Sequence, residues 1–276
     1  MNKTKIEWVV NPDGSQGYSW NPITGCLNHD NGMCKGGGFP CYAYRLAQGR
    51  LRERYLANSI LPCHNEPGHQ AHHADPFYPR FWTSRLYDLR GKGEYDKAYP
   101  TRNAYHASCE KEKGIFVCDM SDLFGVGIPE KWTREVLEQC QIFSQHRFYL
   151  LTKQPQNLIK WSPFPDNCWV GVSATDHEQW KTGVRGLREI QAKVKFFSFE
   201  PLLHRIGVKF YDFDDDIGWL IIGSQTQPTR HPHKPWVLEI LGASEKAGIP
   251  VFVKEPLATY MGINRQEYPK GVGFDH

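Results

Sequence analysis

The chain lacks the features that mark membrane and secreted proteins. Its 276 residues contain no apolar run that approaches the roughly 20 residues needed to cross a bilayer. The first ten residues are polar and of mixed charge, unlike the apolar centre of a secretion signal. These absences predict a cytoplasmic protein that has no membrane partner.

The chain also lacks a block of like charge, internal repeats and a linker. Its net charge of +3 is spread along the sequence, whereas proteins that bind nucleic acid usually carry a concentrated basic face. The densest basic segment, Arg45 to Arg54, falls in a helical pattern and is typical of a solvated helix face. The charge distribution neither demands nor excludes a nucleic-acid partner, so nucleic acid stays open as a substrate. We predict a single domain over residues 1–276.

Short apolar segments recur after residue 114, at 115–118, 148–151, 169–172, 194–197, 219–222 and 251–253. Helical patterns lie between several of them, most clearly at 129–144, 177–192 and 234–247. This alternation is typical of parallel βαβ units, and continuous apolar strands indicate that both faces are buried. Two further strands, near 18–24 and 77–82, would make eight. We predict an α/β fold, a (βα) TIM-like barrel of six to eight parallel strands, with a doubly wound open sheet as the alternative.

The N-terminal half is less regular, and there we predict two long inserted loops, at about 58–75 and 91–103. Loops of this length in a compact domain are usually lids or binding loops. The first loop carries Cys63, His64, His69, His72 and His73. These residue types bind zinc, so a second metal site is one interpretation of the loop, and a solvated loop without a ligand is the other.

Polar residues directly follow the predicted strands. Asp119 and Ser121 follow the first of the late strands, Lys153 the second, Ser173 the third and Glu200 the fourth. Barrel enzymes carry their chemistry at the carboxyl ends of the strands. Polar residues also cap helices, but Lys153, Glu200 and Lys254, which follows the last predicted strand, are not capping residue types, and burying them without partners would be costly. We predict that these strand ends line one polar site.

Eight cysteines would suggest disulfides in a short secreted chain, but this chain is long and has no export signal. Cys118, Cys140 and Cys168 lie within apolar segments, so we expect them to be small buried hydrophobic residues. The remaining clustered thiols are more typical of a metal site in a reducing compartment.

Cys26, Cys34 and Cys41 lie in a glycine-rich loop after the first predicted strand, with seven and then six residues between them. Structural zinc takes four protein ligands, so zinc would need His29 or Cys63 as the fourth. A cubane cluster that is held by only three cysteines leaves one iron open to a small molecule. Both interpretations stay open from the spacing alone.

Several blocks of this sequence together resemble a known family. The blocks are Trp20–Cys26, Met120–Phe124, Leu151–Pro155, Gly171–Ser173, Ser198–Leu203 and Gly248–Lys254, and Cys41-Tyr42-Ala43 ahead of a basic helix. In this order they are similar to an uncharacterised family of phage- and prokaryote-encoded radical-SAM-like proteins. The three-cysteine loop correspondingly resembles the loop that binds the cluster in the radical SAM superfamily. The resemblance covers most of the chain.

The resemblance implies a [4Fe-4S] cluster on Cys26, Cys34 and Cys41 and S-adenosylmethionine (SAM) as a cofactor. It also implies reductive cleavage of SAM with an electron from an external donor such as flavodoxin or ferredoxin, followed by radical chemistry on an unidentified substrate. The cofactor supplies the difficult chemistry in such enzymes. No substrate follows from the resemblance.

If the cluster forms, the residues that would bind SAM are Asp119, Ser121, Lys153, Ser173 and Glu200. Glu200 is the best candidate for the SAM amino group or ribose, and Lys153 suits a carboxylate or phosphate. A structural role, such as an ion pair of Lys153 with Glu200, is the alternative for each of them.

Two other classes of function remain open. In a non-redox barrel enzyme, the three cysteines and a histidine would hold structural zinc, and Asp119, Asp122 and Glu200 would perform acid–base chemistry or metal-assisted hydrolysis. A nucleic-acid-binding or nucleic-acid-modifying protein would instead use the Arg45–Arg54 helix and the aromatic residues.

Overall fold

A computed structural model gives the structure of residues 1–62, 69–90, 111–213 and 217–270. The predicted insertion at 91–103 lies outside these residues, and so do Cys63 and His64 of the first predicted insertion. The strands are β1 (Asn2–Lys3), β2 (Tyr18–Trp20), β3 (Ile23–Thr24), β4 (His29–Asp30), β5 (Met33–Cys34), β6 (Phe39–Pro40), β7 (Arg80–Phe81), β8 (Gly114–Val117), β9 (Arg147–Thr152), β10 (Cys168–Ser173), β11 (Val194–Phe199), β12 (Trp219–Ile222) and β13 (Val251–Val253).

The α-helices of the described ranges are α1 (Tyr42–Gln48), α2 (Arg52–Leu56), α3 (His69–Ala74), α4 (Glu130–Ile142), α5 (His177–Arg188), α6 (Lys234–Ala247) and α7 (Leu257–Met261). The bounds of α6 are those predicted, and it ends at Gly248, which adopts a left-handed φ of +70° that glycine accepts without strain. The predicted helix from Tyr42 is broken near Gly49 into α1 and α2. Across the described ranges, no helix combines the length and the apolar character that a membrane span requires.

Eight strands form the main sheet, in the order β1-β2-β8-β9-β10-β11-β12-β13. Every neighbouring pair from β2 to β13 is parallel. The six late strands predicted from the sequence are therefore confirmed as consecutive parallel neighbours. Helices α4, α5 and α6 follow β8, β10 and β12 along the chain.

The predicted TIM-like barrel is wrong, because the main sheet is open and the fold is mixed α/β. At one edge, β1 pairs antiparallel with β2. At the other edge, Phe252 of β13 forms an antiparallel bridge with Gln266. The strand expected at 77–82 is reduced to β7, which pairs with β3 in a separate two-stranded sheet. Short local segments thus occupy both edges, and in the described residues the two edges do not pair with each other.

The two faces of the main sheet are both buried, as the continuous apolar strands predicted. One face packs against the helices, with contributions from Val136 of α4, Leu187 of α5 and Val237 of α6. The other face carries a cluster of rings around Trp8: Phe116, Tyr149, Trp169, Phe196 and Trp219.

Trp8 is the centre of this ring cluster. Its ring centroid lies 5.1–6.0 Å from the rings of Phe116, Tyr149, Phe196 and Trp219, which belong to four different strands. Because one side chain contacts four strands, the sheet must curve around it. The carboxyl ends of those strands consequently surround a common space.

Replacing Trp8 with Ala is expected to lower the free energy of unfolding by about 3–5 kcal/mol, because it removes a fully buried ring and leaves a cavity. Trp8→Phe should cost clearly less, since Trp8 Nε1 donates no hydrogen bond to any residue that the structure describes. Urea denaturation of each variant measures both losses. The control is Tyr211→Ala, which removes an aromatic ring that is 67% exposed and should change little. A Trp8→Ala variant as stable as the control would contradict this role.

Candidate functional site

A cavity of about 1050 Å³ lies at the carboxyl ends of the parallel strands. The residues predicted from the sequence all line it: Cys26, Cys34, Cys41, Asp119, Ser121, Lys153, Ser173 and Glu200. Parallel strands end at the same edge of a sheet, and the curvature around Trp8 brings those ends together. The structure therefore places these residues at one site, while the role of each stays a prediction.

The segment that carries the three cysteines folds as a small antiparallel sheet of β4, β5 and β6 and continues into α1. Cys34 lies in β5, and Cys41 is the N-cap residue of α1. Each sulfur accepts a backbone N–H from two or three residues further along the chain: Cys26 from Asn28 at 3.3 Å, Cys34 from Gly36, and Cys41 from Tyr44 at 3.5 Å. Hydrogen bonds of this kind stabilise thiolate ligands and tune the potentials of iron–sulfur clusters.

Burial opposes ionisation of Cys26 and Cys34 when no metal is bound. It raises the pKa of Cys26 to about 12 and also raises the pKa of Cys34. The positive charge of Lys153 and the Gly36 N–H act in the opposite direction on Cys34. Because metal ligation requires the thiolate, binding a metal here would release protons.

The start of the cysteine loop is tied to the end of β8. The Gly25 N–H donates to the Met120 carbonyl at 2.9 Å, and the Ser121 hydroxyl donates to the Gly25 carbonyl at 2.5 Å. Gly25 has a φ of +86°, and a Cβ there would lie 2.5 Å from the carbonyl oxygens of Phe77 and Tyr78. Only glycine fits this crossing. Ser121 therefore positions the loop that bears Cys26.

Asn21 makes a second link between the same two segments. Its side-chain N–H donates to the carboxylate of Asp119, and its Oδ1 accepts the Met120 N–H at 3.0 Å. Burial raises the pKa of Asp119, and the hydrogen bond from Asn21 partly offsets this. Nothing in the residue type identified Asn21 beforehand, because its role depends on a contact with residues about a hundred positions away.

Asp122 holds the end of β9. Its carboxylate accepts the Thr152 hydroxyl at 2.7 Å, the Lys153 N–H at 3.0 Å and the Phe124 N–H at 3.2 Å. Burial raises its pKa, and these hydrogen bonds act against the increase. Asp122 was predicted to act in hydrolysis if the protein were a zinc enzyme, but its oxygens are engaged by the protein itself.

Two lysines reach the cavity from neighbouring strand ends. Lys254 forms an ion pair with Glu200, and Lys153 Nζ lies 3.4 Å from the hydroxyl of Ser173. The ion pair of Lys153 with Glu200 that was considered from the sequence does not form. Lys254 follows β13 directly, and its position after a strand predicted it to line the polar site, but the sequence did not show that it would pair with Glu200.

A Ser–His pair at the same cavity was not predicted. The hydroxyl of Ser224, just after β12, lies 2.8 Å from Nδ1 of His231. The His231 ring stacks on Tyr260, with centroids 4.3 Å apart. Ser224 follows a strand, like the predicted residues, but the sequence gives no sign that His231 turns back towards it.

The three thiols share a donor type that clusters use, each has its own backbone N–H contact, and all three line one cavity. Over the described parts of the chain, no three His, Cys, Asp or Glu side chains are arranged to hold a single metal ion. That finding concerns one ion, whose ligands must converge within about 2.0–2.3 Å of a point. Cysteines of a cubane each bind a different iron, so they need not converge in this way. His29, the alternative zinc ligand, instead accepts the Gly32 N–H at 3.3 Å and packs against Tyr44.

The predicted second metal site is described only in part. His72 stacks on Tyr78 with ring centroids 4.1 Å apart. Cys63 and His64 lie outside the described residues. The part of the loop that is described therefore shows a packing role for one of its histidines.

Comparison with known proteins gives one match. A family model described as "Protein of unknown function (DUF5131)" matches residues 3–267, which is nearly the whole chain. No curated protein matches the sequence. No solved structure matches it either.

Asp122→Asn is expected to lower the free energy of unfolding by about 1–3 kcal/mol. The amide group would turn an N–H donor towards the N–H and hydroxyl donors that the carboxylate now accepts, which leaves a buried polar group unsatisfied. Chemical denaturation measures the loss. Asp166→Asn makes the same change at an exposed position and should leave stability close to that of the native protein. Equal stability of the two variants would contradict the role assigned to Asp122.

Proposed function

We propose that this chain, which belongs to the DUF5131 family of proteins of unknown function, is a cytoplasmic radical SAM enzyme. In this proposal, Cys26, Cys34 and Cys41 hold a [4Fe-4S] cluster, and the cavity at the strand ends binds SAM and a substrate. The observation that carries the proposal is that three thiols, each with its own backbone N–H donor, line the same cavity as the strand-end polar residues.

When bound, the cluster would supply one electron for cleavage of a C–S bond of SAM and one iron that is open to the SAM amino and carboxylate groups. That electron would come from an external donor such as flavodoxin or ferredoxin. The protein itself would have to bind, orient and shield the reactants. Of the buried rings on this face of the sheet, Trp8 and Phe116 line the cavity, where their apolar surface would help to exclude water.

Glu200 and Lys153 are suited to the two ends of the amino acid part of SAM. Glu200 Oε1 contacts Lys254, whereas Oε2 accepts no hydrogen bond from any residue that the structure describes. An ammonium group could therefore share this carboxylate. Lys153 has a hydroxyl neighbour in Ser173 but no carboxylate among the described side chains within ion-pair distance. Its ammonium group is available for the carboxylate of SAM.

The other predicted SAM contacts have different constraints. The hydroxyl of Ser121 already donates to Gly25, so we assign Ser121 to holding the cysteine loop. The carboxylate of Asp119 accepts from Asn21 at the wall of the cavity, where it keeps acceptor capacity for a ribose hydroxyl. Ser173 orients Lys153 by the contact between its hydroxyl and Nζ.

The cluster is tested by anaerobic reconstitution with iron and sulfide, followed by iron analysis. We expect about four irons per chain, as a cubane contains, and cleavage of SAM when a reductant is added. Cys34→Ala should lower the iron content and abolish cleavage, because one of three ligands is lost. Cys140→Ala is the matched control, since Cys140 is a fully buried residue of α4 that does not line the cavity, and its loss should not affect iron.

Two outcomes would contradict the cluster. Native iron content in Cys34→Ala would remove this residue from the ligand set. A colourless protein that retains zinc under the same conditions would favour the structural-zinc alternative. Circular dichroism of both variants shows whether either change has prevented folding.

Glu200→Gln is expected to raise the dissociation constant for SAM roughly tenfold or more, because a charge-assisted hydrogen bond to the SAM ammonium is lost. Isothermal titration of the reconstituted protein measures this. The control is Glu239→Gln, which breaks an ion pair with Arg205 that does not line the cavity and should leave SAM binding unchanged. If Glu200→Gln binds SAM as the native protein does, Glu200 serves only Lys254.

A further inference from the structure

Part of the cavity lining is strongly basic. It is formed by the N-terminal segment, by the region of α1 and α2, and by the 3-10 helix Thr83–Leu89. We call this part the cationic wall, and its basic side chains are Lys3, Lys5, Arg50, Arg54 and Arg85. The ammonium group of Met1 contacts Asp88 of the 3-10 helix, which brings the N-terminal segment alongside the element that carries Arg85.

The basic side chains of the cationic wall have no acidic partners in the described parts of the chain. Among the residues of these elements that line the cavity, the one carboxylate is Asp88, which is engaged by Met1. Elsewhere on the surface, by contrast, Arg134, Arg205 and Arg265 each form an ion pair with a glutamate. Unpaired cations that line a concave surface raise the local positive potential and attract anions.

Arg85 is held in place in a way that suits recognition. One guanidinium N–H donates to the Asn21 carbonyl at 2.7 Å, and the guanidinium carbon lies 3.9 Å from the ring centroid of Trp82. The indole is itself fixed by a hydrogen bond from Nε1 to the Thr24 hydroxyl at 2.8 Å. Of the five N–H donors of Arg85, the described residues therefore use one. A fixed arginine stacked on an aromatic ring is a surface on which nucleic acid bases and phosphates bind.

We propose that the cationic wall binds the phosphate groups of the enzyme's substrate, and that the substrate is a nucleotide unit, either free or within a single strand. This inference rests on the proposed function, because it takes the cavity as the active site of an enzyme. The cavity volume of about 1050 Å³ exceeds that of most pockets for one small molecule, so it can take a nucleotide unit beside SAM.

The position of the wall explains why a duplex is not the expected form. The cations of the wall line the same concave cavity as the thiols and the strand-end carboxylates. Enzymes that act on a base inside such a cavity take it from a single strand or extrude it from the duplex. The wall would hold the phosphates while the base or sugar reaches the site.

The basic segment 45–54 offers a matched test, because only half of its arginines line the cavity. Arg50 and Arg54 do, whereas Arg45 and Arg52 are exposed residues of α1 and α2 that do not. Arg50→Gln/Arg54→Gln and Arg45→Gln/Arg52→Gln therefore make the same change in charge within one ten-residue segment, in which Arg50 lies in the turn between α1 and α2. All four side chains are exposed, so neither double variant should unfold the protein.

Binding is measured by fluorescence anisotropy with a labelled single-stranded DNA and a labelled RNA of mixed sequence, and by calorimetry with nucleoside monophosphates. We expect Arg50→Gln/Arg54→Gln to weaken binding of the strand at least about tenfold and to lower the slope of log K against log salt by about 1.4, two phosphate contacts at about 0.7 each. The Arg45→Gln/Arg52→Gln control should retain most of the affinity and the slope.

The probes also separate the two sources of the nucleotide unit. If monophosphates bind in a way that depends on Arg50 and Arg54, and a strand binds no more tightly, the substrate is a free nucleotide. If a strand binds more tightly than the monophosphates, the substrate is nucleic acid. Equal losses in the two double variants, or no binding of any probe at low salt, would overturn the inference.

The measurements are made on the full chain with and without reconstituted iron, so that the two proposals can fail separately. If nucleotides do not bind but the protein takes up iron and cleaves SAM, only the proposed substrate is contradicted. If nucleotides bind through Arg50 and Arg54 but the protein never takes up iron, the radical SAM proposal is contradicted. The cavity is then a nucleotide-binding site.

Discussion

The contact of Trp8 with four strands is the constraint on which the rest of the structure depends. A parallel sheet that lay flat would spread its strand ends over a wide edge, and polar residues at those ends would not meet. Because the rings of Phe116, Tyr149, Phe196 and Trp219 all pack around one indole, the strands are drawn into a curve. The cavity at their carboxyl ends is the geometric result.

The cysteine loop depends on that curvature through a small number of backbone contacts. Gly25 crosses close to the chain at Phe77 and Tyr78, and Ser121 at the end of β8 fixes its carbonyl. The cysteine loop, which starts with Cys26, therefore begins at a defined point on the cavity wall. The thiols then line the same space as Glu200 and Lys153, so a candidate metal centre lies together with groups that suit an amino acid. This combination, and not the fold as such, supports the radical SAM proposal.

Much of the chain could be predicted because its patterns are local. The six late strands are continuous apolar segments, and a strand that is buried on both faces needs such residues whatever its neighbours are. Helix α6 was located to the residue, since Gly248 ends it in a left-handed conformation. Cys118, Cys140 and Cys168 are buried, as their apolar surroundings indicated. The barrel was wrong because strand count does not decide whether the edges of a sheet meet.

The sequence by itself determined which segments form strands and helices, which of their faces are buried, and that polar residues follow the strands. Periodicity reports these properties because they depend on neighbours within a few residues. Only the tertiary structure decided that the sheet stays open and that Lys254 rather than Lys153 pairs with Glu200. It also decided that two of the four arginines in the segment 45–54 line the cavity. These outcomes depend on contacts between residues far apart in the chain. The free energies of such contacts are not reflected in the local sequence pattern.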